Sequence, residues 1–220
     1  MDEARLDEVF VRRLRHVHRA LRIAARYDVG PPGTIEAGPV IHAANHRSMA
    51  DLLFAAAAFH EWGLPIRCLV AASYFGKRGI GRLLRDLRCI PVEGTEALQV
   101  AAEILERGIP IAIMPEGRIV GPEDWDEARV GRPHPGVGRL AIDTGLPVVA
   151  VGAAGTEDLW PRARGRPFIR PWNRTLLTMR TRHLGRIEVE QPREATAIIW
   201  EGVKACVAEA DAARGVGPVS

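Results

Sequence analysis

The 220-residue chain is short of the side chains most catalytic classes depend on. It carries three serines, Ser48, Ser73 and Ser220, with no G-x-S-x-G elbow, and Ser48 stands too close to His46 for a serine-hydrolase arrangement. Its cysteines, Cys68, Cys89 and Cys206, are odd in number, widely spaced and set among apolar residues, so reduced core thiols are expected rather than a disulfide framework. No metal site is expected. His16 and His18 diverge by about 200° on a helix, which leaves no ligand cluster. "GKRGIG" (76–81) matches neither dinucleotide nor P-loop patterns, so no cofactor is expected either.

Aromatics make up only 5%, and the 30 Lys and Arg are interleaved with 27 Asp and Glu. Stretches such as "RTRHLGR" (180–186) therefore read as solvated face, and no nucleic-acid partner is expected. The longest apolar run, Leu52–Phe59, is eight residues, far below the roughly 18–20 that span a bilayer. The N-terminus is charged from its second residue and shows no signal-peptide core, so a cytoplasmic location is expected.

What is present suits one globular domain: 47% hydrophobic, 26% charged, net charge +3. Residues 4–26 read as an amphipathic helix. Leu6, Val9, Phe10, Leu14, Val17, Leu21 and Ala24 share one arc, and Arg5, Arg12, Arg15, Arg19, Arg22 and Arg26 the other. "DVGPPG" (28–33) ends it. Strands are expected at 39–44, 67–72, 88–92, 109–114 and 147–151, alternating with helices at 49–62, 79–87, 95–107 and 136–144. Two further strand-like runs, 174–181 and 185–190, precede a helix over 194–212, and 121–136 is a long polar loop. The alternation predicts an α/β fold, a single layered domain with a largely parallel mixed sheet flanked by helices. The expected boundaries are an N-terminal helix over 1–30, the domain over 31–213 and a flexible tail over 214–220.

Sites in such sheets collect at the carboxyl ends of strands. Two charged clusters fall there: Asn45-His46 after strand 39–44, and Pro115-Glu116-Gly117-Arg118 after strand 109–114. In "NHRSMAD" (45–51), Ser48 and Asp51 have the spacing of a capping box, which makes Asp51 a helix-start residue. The other reading is chemical. Inside one helix, positions five apart diverge by about 140° and cannot meet. If the chain turns at Arg47–Ser48, the Asp51 carboxylate can reach back to one nitrogen of His46, leaving the other to take a proton from an alcohol. The stretch alone leaves both readings open; a second strand-end cluster in the same sheet favours a site.

N-H-x-S-x-x-D followed by a buried strand and P-E-G resembles the lysophospholipid/glycerolphosphate acyltransferases, the 1-acylglycerol-3-phosphate acyltransferase superfamily. "GIGRLLRDLRCIPVEG" (79–94) and "GVGRLAIDTGLPVVAVGAAGTEDLWP" (136–161) are similar to its second and fourth blocks, so the likeness extends over about 35–190. It implies direct transfer of a fatty acyl group from acyl-CoA or acyl carrier protein, as co-substrate, to a hydroxyl of a lysophospholipid-like acceptor. It makes His46 the general base, Asp51 its orienting partner, and Asn45, Glu116, Gly117 and Arg118 acceptor-binding residues. The chain departs from the pattern at Val92-Glu93-Gly94, where the family has Val-Asp-Arg. It departs again at Arg118, which fills a threonine slot, and at Ala150, which replaces a proline. These changes point away from glycerol phosphate and lysophosphatidic acid toward other lysophospholipids. Arg82, Arg85 and Arg129 are candidates for the missing charge. The alternative function is a catalytically inactive membrane-binding or scaffold protein of the same fold. For helix 4–26, docking on the domain and lying in a membrane surface are both open. A lipid acceptor favours the membrane, with Phe10, Leu14, Val17 and Leu21 in the acyl boundary, on its cytoplasmic face.

Overall fold

Short runs of β-branched and small apolar residues alternate with helix formers along the chain. In the computed structural model, which describes residues 3–33, 38–163, 166–169 and 172–216, they build one sheet between two helical layers. The strands are β1 (Ala25–Val29), β2 (Ile41–Ala44), β3 (Arg67–Ala71), β4 (Ile90–Val92), β5 (Ile111–Ile113), β6 (Val148–Ala154) and β7 (Thr175–Gly185). The helices are α1 (Glu3–Ala24), α2 (Asp51–Trp62), α3 (Ile80–Asp86), α4 (Ala97–Glu106), α5 (Gly136–Thr144), α6 (Thr156–Leu159) and α7 (Pro192–Ala213). Spatial strand order is β1-β7-β6-β2-β5-β3-β4. All neighbouring pairs are parallel except β6 with β7, so the sheet is the largely parallel, mixed one expected.

Both faces are covered, which is why β6 is buried at every position. Phe54 and Ala58 of α2 and Leu84 of α3 pack on one face, and Leu105, Leu140, Ile199 and Val203 of α4, α5 and α7 on the other. Gly152 lets α7 approach β6. A Cβ there would lie 2.2 Å from the backbone of Cys206 and Val207. The three cysteines are free and buried.

Four expectations are corrected. Helix 4–26 stops at Ala24, and the chain continues straight into β1, where turn residues were expected. β1 is held by pairing with β7 and by an Arg180–Asp28 ion pair of 2.6 Å, tertiary contacts with no local signature. The runs 174–181 and 185–190 are not two strands: β7 is continuous over 175–185 because β6 and β1 satisfy it on both sides. The apolar arc of α1 is not free to enter lipid. Phe10, Leu14, Val17 and Leu21 are buried, the first three with Ala55, Ala56 and Phe59 of α2, so α1 belongs to the domain core. Finally, Arg214, placed in the tail, donates to the Leu176 carbonyl at 3.0 Å and pairs with Asp158. Residues 217–220 lie outside the described residues, as do residues 1–2.

Candidate active site

β2 and β5 are parallel neighbours in the middle of the sheet, so their carboxyl ends open side by side. Past β2 the chain turns through Arg47 and Ser48 before α2 begins. That turn brings His46 Nδ1 to 2.8 Å from Asp51 Oδ2. The same oxygen accepts the backbone N–H of Arg47 at 2.8 Å and of Ser48 at 2.9 Å, and the other carboxylate oxygen accepts the Thr156 hydroxyl. The return bond to Ser48 is the one a capping box makes, so capping and imidazole orientation are one arrangement. Ser48 Oγ accepts the Ala50 N–H at 3.0 Å and donates to the Trp160 carbonyl at 2.8 Å. Asp51 is 3% exposed, whereas the His46 side chain is 22% exposed. A carboxylate is an acceptor only, so Nδ1 carries the hydrogen, and in the neutral ring the lone pair is on Nε2.

His46 lines a cavity of about 840 Å³. One arm runs under α2, past Leu52, Ala55, Phe59 and Trp62, over a sheet surface opened by the small residues Ala44, Ala112 and Ala153. From Leu52 to Trp62 the helix rises about 15 Å, room for the first two thirds of a long fatty chain. Gly117, Arg118 and His134 line the same cavity. Gly117 has φ +68°, and the His134 ring would lie 3.3 Å from a Cβ there, so a side chain is disfavoured on both counts. Arg118 is exposed and pairs with Asp124 at 2.9 Å.

Two expected acceptor contacts have other partners. Asn45 is buried and spent on β6: its amide donates to the Ala153 carbonyl at 2.9 Å and accepts the Ala153 N–H at 2.8 Å. Glu116 is buried too. One oxygen accepts the His46 N–H and the other the Gly131 N–H at 2.6 Å. It clamps the histidine loop to the long 121–136 loop, where an acceptor ligand was expected. The Val120 N–H, donated to the His46 carbonyl at 2.8 Å, adds a third tie. Neither Arg82, Arg85 nor Arg129 lines the cavity; Arg118 and Arg162 do, and Arg162 pairs with Glu123 at 2.9 Å. Arg162 carried no motif and was missed, as were Thr156 and Gly131. Among the described residues no group of His, Cys, Asp and Glu could hold a metal ion.

Burial pushes the Glu116 carboxyl up to about 7, against the downward pull of its two N–H donors. A folded-state value above the ordinary 4.5 means its contribution to stability is full below 4.5 and lost as pH rises through about 7. Relative to Glu116→Gln, which does not titrate, the wild type should lose on the order of 3 kcal/mol across that window. Guanidinium unfolding of both proteins at several pH values checks this. A difference that stays flat or grows with pH would show that the carboxylate is not destabilised by burial.

Comparison with known proteins bears on the fold and the family. The chain's likeness to the crystal structure of the 1-acyl-sn-glycerophosphate (LPA) acyltransferase PlsC from Thermotoga maritima covers 93% of this chain and 78% of that one. The TM-score is 0.72 and the identity 21%, so the likeness is one of fold. No curated protein sequence matches. The sequence model described as Acyltransferase matches residues 11–154, from α1 through the end of β6, and the chain belongs to the acyltransferase family.

Proposed function

We propose that the protein transfers a fatty acyl group from a thioester, acyl-CoA or acyl carrier protein, to a hydroxyl of a lysophospholipid-like acceptor. The observation that carries this reading is the 2.8 Å bond between His46 Nδ1 and a buried Asp51, at the mouth of an apolar arm about 15 Å long under α2. The acyl chain lies under α2 with its thioester carbonyl beside His46. Nε2 takes the acceptor's hydroxyl proton as that oxygen attacks the carbonyl. When the carbon–sulfur bond breaks, the imidazolium returns a proton to the departing thiolate. Transfer is direct. The cavity's one cysteine, Cys68, is fully enclosed and burial drives its thiol well above the ordinary range, so it supplies no thiolate.

Arg118 and Arg162 receive the acceptor's phosphate. Each is paired with a carboxylate of the 122–124 turn, so the rim is charge-balanced, which suits a headgroup carrying a cation as well as a phosphate. The test is to supply long-chain acyl-CoA and acyl carrier protein with lysophospholipids of several headgroups. Thiol release matched by acylated lipid supports transfer. Thiol release with free fatty acid shows hydrolysis, and neither product leaves the scaffold reading.

We also propose that the protein works on a membrane surface, through the exposed side of α1. Among the described residues no helix is long and apolar enough to cross a membrane. Arg12, Arg15, Arg19 and Arg22 are exposed on α1 beside Val11 and Ile23, facing away from α2. Reversing Arg12, Arg15 and Arg19 to glutamate should abolish sedimentation with anionic liposomes, at about 1 kcal/mol per cation. Thiol release with a soluble acceptor should persist. Undiminished sedimentation would defeat this placement.

A further inference from the structure

Within the apolar arm one polar atom has no use. His42 stands on β2, lines the cavity and is 2% exposed. Its Nδ1 lies 3.2 Å from the Ile111 carbonyl. A carbonyl only accepts, so Nδ1 carries the hydrogen and Nε2 is left as a bare lone pair. Nε2 is buried and has no hydrogen-bond partner among the described residues. Burial also pushes the ring down to about 4, which keeps it neutral and Nε2 an acceptor in neutral solution. Because Nδ1 reaches back to the neighbouring strand, the opposite edge of the ring, with Nε2, faces away from the sheet toward α2.

An unmet acceptor in an otherwise apolar channel is costly, about 1–3 kcal/mol, unless a ligand supplies a donor. A trapped water is a poor substitute, because buried water needs two to four polar partners. Here the register neighbours across the sheet are Ala112 and then Cys68, and α2 lines the same cavity with Ala55 and Phe59. An acceptor headgroup does not fit either, since its charges belong at the rim with Arg118 and Arg162. The apolar lining admits a hydrocarbon chain, and the lone pair asks that chain for one O–H.

We propose that His42 makes the arm selective for acyl chains carrying a hydroxyl part-way along their length. The position follows from the strand. His42 precedes His46 by four residues, up to about 13 Å of extended chain. The favoured hydroxyl is therefore near the middle of a long chain, far from the thioester. This rests on the acyl-transfer reading for the identity of the ligand.

The experiment compares three donors of equal length: octadecanoyl-CoA, its isomer hydroxylated near the midpoint, and its isomer hydroxylated beside the carbonyl. In the wild type, kcat/KM for the mid-chain hydroxy donor should exceed that for the plain donor about ten-fold. The carbonyl-proximal isomer should show no such gain, and in His42→Leu the ratio should fall to about one. Parity in the wild type, or the same preference in His42→Leu, overturns the proposal. A second arm is independent of turnover: calorimetric affinities of the corresponding free fatty acids should show the same ratio. Binding preference without thiol release from any donor would sink the catalytic reading and leave this one standing. Thiol release without preference would sink this one alone.

Discussion

His46→Ala should lower acyl transfer by roughly 10²–10⁴-fold, the usual value of a positioned general base, while leaving the fold intact. The two halves of the expectation have separate grounds. The imidazole's hydrogen bond is to Asp51, and its free nitrogen faces the cavity, so its removal deletes the proton acceptor. The scaffold at this position is main chain. The His46 N–H is held by Glu116 and its carbonyl by Val120, and alanine keeps both. Asp51 retains three of its four donors in the variant: Arg47, Ser48 and Thr156. Unfolding free energy should therefore change by no more than about 1 kcal/mol. Asp51→Ala would be a poorer test, because it strands two buried N–H groups and a hydroxyl and damages structure and chemistry together. The measurement is initial-rate thiol release with acylated product quantified in parallel. Rates within a few-fold of wild type, with the protein folded, would rule His46 out as the base.

How much of this could be read from the sequence depends on where each residue's partner lies. The helices and the five mutually parallel strands were legible because their signals are local: apolar runs, caps, and the switch from one periodicity to the other. His46 and Asp51 were legible as a pair because they are five residues apart on one turn. The spacing did not separate capping from chemistry, and the geometry explains why. A single oxygen of Asp51 serves Ser48, Arg47 and His46 together. Glu116 was legible as important, but the sequence did not show its partners within the fold. Its real partners are two backbone N–H groups from separate loops, and a peptide group leaves no mark in the sequence. Asn45 likewise bonds the backbone of Ala153, a partner 108 residues away, while lining the cavity. The arc of α1 was legible as a buried face, but amphipathicity says only that a face leaves water; the structure supplies α2 as its cover. β1 had no signal of its own, because a strand of alternating half-exposed residues exists only through its neighbour.

Arg47 is the extreme case of a partner out of sequence reach, and its loss should be the largest effect on stability. Arg47→Met should cost about 3–5 kcal/mol, the typical result of breaking one side of a buried ion pair. The guanidinium is 1% exposed and donates twice to Asp211, at 3.2 and 2.9 Å, from 164 residues away. It also donates to Glu157 at 3.3 Å and to the Arg129 carbonyl at 3.0 Å, and lies over the Trp125 ring. One side chain thus joins the histidine loop to the end of α7, the start of α6 and the 121–136 loop. Methionine fills similar space but withdraws the nearest cation from both carboxylates, leaving Glu157 to Arg214 at 3.6 Å and Asp211 to Arg214 and Arg129, each at 3.8 Å. At 220 residues that loss corresponds to a fall in Tm of roughly 10 °C. Arg47→Lys should recover little, since a single ammonium cannot fork across Asp211 and also reach the Arg129 carbonyl. Adding Asp211→Asn to Arg47→Met removes the carboxylate that has lost its closest partner, so the double variant should be more stable than the sum of the two single losses predicts. Chemical denaturation of the four proteins gives the cycle. Additive losses would mean that the two groups do not stabilise one another, and the tie between the histidine loop and α7 would have to be sought elsewhere.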